Sequence, residues 1–139
     1  VALAVALDPG GPFDAGAFVA ARFAVARTDI IRGRMVLARE LIAAAADPGS
    51  AVDAIGRTVS AHESMPVAIY VFLANPKSFV DCLYTAALNG GDRDTLAAMA
   101  SAVSGAYLGI EALPASWLAK VENRDNMEIL ALRRATRVA

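Results

Sequence analysis

Apolar positions recur along the chain at the three- and four-residue spacing of one helix face, and proline and glycine clusters cut this pattern into helix-length intervals. The breaks fall at Asp8-Pro9-Gly10-Gly11-Pro12, Asp47-Pro48-Gly49-Ser50, Asn75-Pro76-Lys77, Asn89-Gly90-Gly91 and Glu111-Ala112-Leu113-Pro114. Ahead of the first, Val1 to Leu7 reads as the end of a core helix, with no basic leader before Asp8. Asp14 is placed to N-cap a helix through Ala26 with Phe18, Val19, Phe23 and Ala26 on its apolar face. Thr28 or Asp29 opens an amphipathic helix, with Ile31, Met35, Ala38, Leu41 and Ile42 set among Arg32, Arg34, Arg39 and Glu40.

Ala51 to Thr58 predicts a short helix. Ser64 before Met65-Pro66 has the form of an N-cap with proline in the first turn of a buried helix, Val67 to Leu73. That run also suits a strand by propensity, and the neighbouring caps favour the helix. Ser78 starts a helix through Leu88, and Asp92 or Asp94 opens a long one. On the long helix Ala98, Ala102, Gly105 and Gly109 form a stripe of small residues, suited to close approach of another helix. Pro114 to Val121 and Asn126 to Arg137 complete the set. The expectation is an all-α fold, a compact multi-helix orthogonal bundle, with residues 1–139 as a single domain and no internal repeat.

Composition narrows the choice of partner. The hydrophobic fraction, 57%, exceeds the usual share of roughly 45–50%. Alanine and valine make most of the excess, so the helices pack tightly or lean on further protein. Net charge is −1, which supplies no basic field for nucleic acid or an anionic membrane and leaves a small molecule or a protein surface. The longest uncharged apolar run, Leu96 to Ile110, falls short of the roughly 20 residues that span a bilayer, so no membrane span is expected. Cys82 is the lone cysteine, which excludes an internal disulfide and a cysteine-rich zinc site and points to a reducing, cytoplasmic home.

The chemistry-bearing run is Asn89-Gly90-Gly91-Asp92-Arg93-Asp94-Thr95, between two apolar helices. Its glycines open backbone angles closed to other residues, and two carboxylates and a hydroxyl gather where a helix begins. Two readings stand on the residues alone. Asp92 and Asp94 cap the helix and complement its dipole, or with Thr95 they hold a hard divalent cation, magnesium or manganese and not zinc.

The flanks carry a resemblance. His62-Glu63-Ser64-Met65-Pro66-Val67-Ala68-Ile69-Tyr70 is similar to the Glu-Ser-Val-Pro-X-Ala segment of the ADP-ribosylglycohydrolase family, and GGDRDT stands where that family has GGDTDT. Ala97-Ala98-Met99-Ala100, Ser104 to Gly109 and Leu113-Pro114-Ala115-Ser116-Trp117 resemble its following helix and its proline and tryptophan. The resemblance covers essentially the whole chain and is strongest from His62 to Trp117. It implies an all-α hydrolase that uses two magnesium ions, with manganese as a substitute, to cleave the glycosidic bond between ADP-ribose and a protein side chain or related acceptor. The substrate would be an ADP-ribosylated protein or an ADP-ribose-containing small molecule, and Asp92, Asp94 and Thr95 would be metal ligands, the ions orienting ribose hydroxyls and water. Arg93 replaces the family's usual threonine and is expected to point away from the ions.

The family's other ligands, a Thr-Asp-Asp run among them, belong to an N-terminal half, and no Thr-Asp-Asp occurs in this sequence. The resemblance therefore implies a missing N-terminal half and a chain inactive alone, since three side chains do not fill two octahedral shells. The alternative is a non-catalytic structural or binding protein of the same fold, like the related lens crystallins, against which the retained Asp92 to Thr95 run argues. No catalytic acid or base is assigned. Glu63 is a candidate substrate-binding residue, with support of a metal ligand or simple capping as its other roles. His62 is expected to be structural or at the surface, Ser64 an N-cap, Cys82 an inert core thiol, and Tyr70, Phe72, Tyr84, Tyr107 and Trp117 core residues. Arg133, Arg134 and Arg137 complement the dipole of the last helix.

Overall fold

The computed structural model describes residues 14–138, without the side chains at 22, 23 and 134–138. The helix end expected at Val1 to Leu7, the Phe23 side chain and the arginines at 134 and 137 lie outside this description. Eight α-helices and one short 3-10 turn, with no strand, make up the described residues. They are α1 (Ala15–Val25), α2 (Asp29–Ala43), α3 (Pro48–Ile55), α4 (Ala61–Ala74), α5 (Phe79–Asn89), α6 (Arg93–Leu108), the 3-10 turn Ile110–Ala112, α7 (Ala115–Leu118) and α8 (Arg124–Val138). The all-α expectation holds in a helix-packed arrangement.

Three caps fall where the side chains placed them. The Asp14 carboxylate accepts from the Ala17 N–H at 3.0 Å, Thr28 Oγ1 from the Ile31 N–H at 3.4 Å, and Ser78 Oγ from the Asp81 N–H at 3.1 Å. Two starts differ. α3 begins at Pro48, with Asp47 as its cap, so the Asp47-Pro48-Gly49 cluster opens a helix instead of separating two. Proline has no N–H to leave unpaired at a first helical position and suits one well. α4 begins at Ala61 and not after Ser64: the N–H groups of Glu63 and Ser64 both bond the Ser60 carbonyl, at 2.8 and 2.9 Å. Ser64 is therefore buried inside the helix and is no N-cap. Pro66 follows in the second turn, where its missing N–H leaves one carbonyl near the helix start without a helical partner.

α4 is the central helix, packed by α2, α3, α5 and α6. Every residue from Pro66 to Leu73 is buried, which explains why this run shows no polar face and resembles a strand in sequence. Near its end Phe72 has its ring centroid 5.4 Å from that of Phe18 and 5.8 Å from that of Tyr107. Tyr70 is also buried, its hydroxyl donating to the Ala46 carbonyl at 3.4 Å. Tyr84 is half exposed and meets Trp117 edge-on at 6.2 Å, so that pair lies at the surface of the bundle.

α5 and α6 pair as a hairpin around the turn at 90–92. α6 faces the core through Leu96, Ala100 and Ser104, one turn apart. The small-residue stripe is not that face: Ala98 and Ala102 are exposed, and Gly109 ends the helix at φ +82°. Cys82 of α5 is fully buried, its Sγ 3.7 Å from the Ala100 carbonyl. Burial pushes its thiol up to about 11, against a small opposing pull from Ser104, so it is inert as expected. No helix among the described residues is long and apolar enough to cross a membrane.

Candidate functional site at the start of helix α6

The turn from α5 to α6 is set by two glycines, for a reason other than backbone angle. Neither has positive φ; among described glycines only Gly56 and Gly109 do. A Cβ at Gly90 would stand 2.5 Å from Leu96 Cδ1 and 2.9 Å from the Ala86 carbonyl oxygen, and one at Gly91 would overlap the Arg57 carbonyl oxygen. Both glycines thus serve close approach: the turn is pressed between its own hairpin and the loop joining α3 to α4.

Asp92 occupies the N-cap position of α6, yet its side chain makes no capping hydrogen bond. Its carboxyl lies beside the carboxyl of Asp94, the second residue of the helix. As pH falls, a proton shared with the Asp92 carboxyl, followed by the N–H groups of Asp94 and Thr95, holds the Asp94 carboxyl below its ordinary value. Asp94 and Thr95 are exposed and Asp92 is half-buried, so the group opens to solvent. Arg93 is exposed between them. The expected ligand trio is therefore brought together on one helix start. Its donors are all hard oxygens, right in kind for magnesium, and too few for an octahedral shell. Among the described residues no group of three or more histidines, cysteines, aspartates or glutamates is placed to hold a metal.

Glu63 lies on the far side of the α3–α4 loop. Its Oε2 accepts from the Thr58 N–H at 2.9 Å and its Oε1 stands 3.2 Å from Arg34 Nη2 of α2 and 3.8 Å from His62 Nε2. Hydrogen bonds from the Thr58 hydroxyl and N–H, followed by the Arg34 charge, hold the Glu63 carboxyl below its ordinary value. Arg34 Nη1 also donates to the Ile55 carbonyl at the end of α3. Glu63 therefore contacts the loop that meets Gly91. Arg34 and Thr58 were not singled out from the sequence, although Ser60-Ala61-His62-Glu63 has the spacing of a capping box and marks the true start of α4. His62 is partly exposed, in keeping with a surface role.

An all-α bundle carrying a paired-carboxyl turn at an exposed helix start defines the structural class. The sequence matches the ADP-ribosylglycohydrolase family over residues 1–139, and the chain belongs to that family. It is similar to the ADP-ribosylhydrolase ARH3 of Bos taurus and of Homo sapiens, 38% identical over 91 residues in each case. These matches cover 58% of this chain and 25% of either relative, so the aligned stretch spans a quarter of their length. It is also similar to the ADP-ribosyl-[dinitrogen reductase] glycohydrolase of Rhodospirillum rubrum, 35% identical over 60 residues, covering 43% of this chain and 20% of that protein. No solved structure matches the chain at a significant level.

Proposed function

We propose that this chain contributes Asp92, Asp94 and Thr95 to a magnesium site that serves hydrolysis of the glycosidic bond between ADP-ribose and a protein side chain or related acceptor. The observation that carries the reading is Asp92: it stands where a helix would use it as a cap, makes no capping hydrogen bond, and has a second carboxyl, that of Asp94, beside it. Two adjoining carboxyls at an open surface repel unless a cation compensates them, and their oxygens with the Thr95 hydroxyl suit magnesium or manganese. Family membership supports the reaction class, and the name of the Rhodospirillum rubrum relative supports an ADP-ribosylated protein as the substrate class.

Magnesium, when bound, supplies a Lewis acid and a template for the attacking water. The chain's own part is to present three oxygens at a fixed turn, with the positive end of the α6 dipole offsetting their charge. Because three donors leave the shell incomplete, the chain alone is inactive and the remaining ligands come from further protein, which we take to be the N-terminal part of the family fold. The buried, unreactive Cys82 is compatible with a reducing cytoplasmic setting.

Magnesium titration by calorimetry on the complete protein tests the reading. Asp92→Asn and Asp94→Asn should each weaken affinity and turnover with little change in melting temperature. Affinity unchanged by both substitutions would sink the metal role.

A further inference from the structure

The Asp92 turn has no side-chain clamp of its own, and the loop pressed against it is clamped from behind. A backbone group, the Arg57 carbonyl, meets Gly91 where a side chain would otherwise be. The loop carrying that carbonyl is gripped at three successive points. Arg34 Nη1 donates to the Ile55 carbonyl, the Arg34 and Glu63 side chains lie against the Cα of Gly56, and Glu63 Oε2 accepts the Thr58 N–H. A Cβ at Gly56 would stand within 2.6 Å of Glu63 Cγ, and its φ of +122° is one that glycine alone adopts without strain. The Arg34–Glu63 pair joins α2 to α4 at 3.2 Å with only 27% and 15% of the two side chains exposed.

We propose that Glu63, held by Arg34, is a positioning residue for the acidic turn: it fixes the Gly56 to Thr58 loop against Gly91 and so sets where the Asp92 and Asp94 carboxyls stand. The inference rests on the reading of that turn as a metal site and adds the device that places it. Glu63 in this role acts through the loop and does not touch substrate. Removing its carboxylate strands the Arg34 charge in a partly buried corner and leaves the Thr58 N–H without its acceptor. The Arg57 carbonyl is then unanchored on one side, and Gly91 loses its stop.

Amide hydrogen exchange, resolved by NMR on this chain, reads the coupling without any metal. The informative amides are Thr58, bonded to Glu63, and Leu96, whose N–H bonds the Asp92 carbonyl at 2.9 Å; Cys82, bonded to Ser78 at 3.1 Å, is the control. In Glu63→Ala we expect exchange at Thr58 and Leu96 to rise roughly tenfold while Cys82 stays as in the wild type. A rise at Thr58 with Leu96 unchanged overturns the proposal, as does an equal rise at all three, which is global loosening. Should Glu63→Ala not fold, Glu63→Gln decides, because it keeps an acceptor for Thr58 and removes only the charge facing Arg34. A rise at Leu96 larger than at Cys82 supports the proposal, and Leu96 unchanged overturns it.

Manganese alone is the second probe, read as paramagnetic broadening of the Asp92, Asp94 and Thr95 amides. Broadening in the wild type that weakens in the Glu63 variant supports the positioning role, and equal broadening in both overturns it. Coupled exchange with no broadening in either protein supports the positioning role and counts against the metal reading alone.

Discussion

Two aspartates stand at the N-cap positions of helices, Asp47 at α3 and Asp92 at α6. The start of α3 lies near the end of α5, where a Cβ added at Gly49 would stand 3.3 Å from Asn89 Oδ1. Asp47 is committed to its helix: Oδ2 accepts the Ser50 N–H at 3.0 Å and the Ser50 hydroxyl at 3.1 Å. Those bonds hold its carboxyl below the ordinary value. Asp92 makes no such bond, and the first-turn N–H groups of Asp94 and Thr95 act on the Asp94 carboxyl, which they help hold below its ordinary value. The same residue type at the same helical position is a structural cap in one case and available to a ligand in the other. What separates them is the residue two places on: a glycine after Asp47, a second carboxylate after Asp92.

The largest expected effect breaks or keeps this contrast through function. In the complete protein, Asp92→Asn or Asp94→Asn should lower metal affinity by more than the roughly 10–100-fold that losing a ligand's supporting partner costs. Asp47→Asn should leave affinity within error, since asparagine caps about as well as aspartate. Equal loss in all three would erase the distinction.

Next in size is Gly91→Ala. Its Cβ would meet the Arg57 carbonyl, and a backbone atom cannot move aside as a flexible side-chain end can. We expect a loss of about 1–3 kcal/mol in chemical denaturation, in the range of other overpacked sites. No loss would mean that the loop yields freely and that the turn is not held by it.

Smaller still is the cap itself. Asp47→Ala should lower the melting temperature by a few degrees, whereas Asp92→Ala should leave it unchanged or raise it by relieving repulsion. A larger loss at Asp92 than at Asp47 in a thermal scan would reverse the comparison.

The smallest effect is on acid stability. The Asp47 carboxyl has a folded value below 3.8, so its contribution is present above that pH and is lost as pH falls through the lower folded value. Melting curves between neutral pH and about pH 2 should accordingly show a shallower acid decline in Asp47→Asn than in the wild type. Parallel curves would deny the carboxyl any linkage to folding.

Helix starts were legible in the sequence wherever one side chain made the local bond. Asp14, Thr28 and Ser78 each bond a backbone N–H within the first turn, and a pattern of caps followed by apolar spacing records that. The starts of α3 and α4 were misplaced because proline carries two opposite signals. Pro48 looked like a break and is a first helical residue, whereas Pro66 looked like a first-turn residue and lies in the second turn. The acidic turn was legible because its residues are contiguous. Its support was not: Arg34, Glu63, Thr58 and Gly91 come from four separate segments, and no local rule joins them. The role of the two glycines was misjudged for the same reason, since close approach is a property of what arrives from elsewhere.

The meeting of Gly91 with a carbonyl has a consequence for how this protein tolerates change. A contact made by main chain is indifferent to the side chain at that position, so Arg57 can be exchanged for most residues without altering it, apart from the ion pair with Asp53. It is not indifferent to chain length. One residue inserted or deleted between Ile55 and Ser60 would slide a different peptide group against the turn and shift the Thr58 N–H off Glu63. The loop is thus permissive to substitution and intolerant of insertion, the reverse of what is usual for a surface connection.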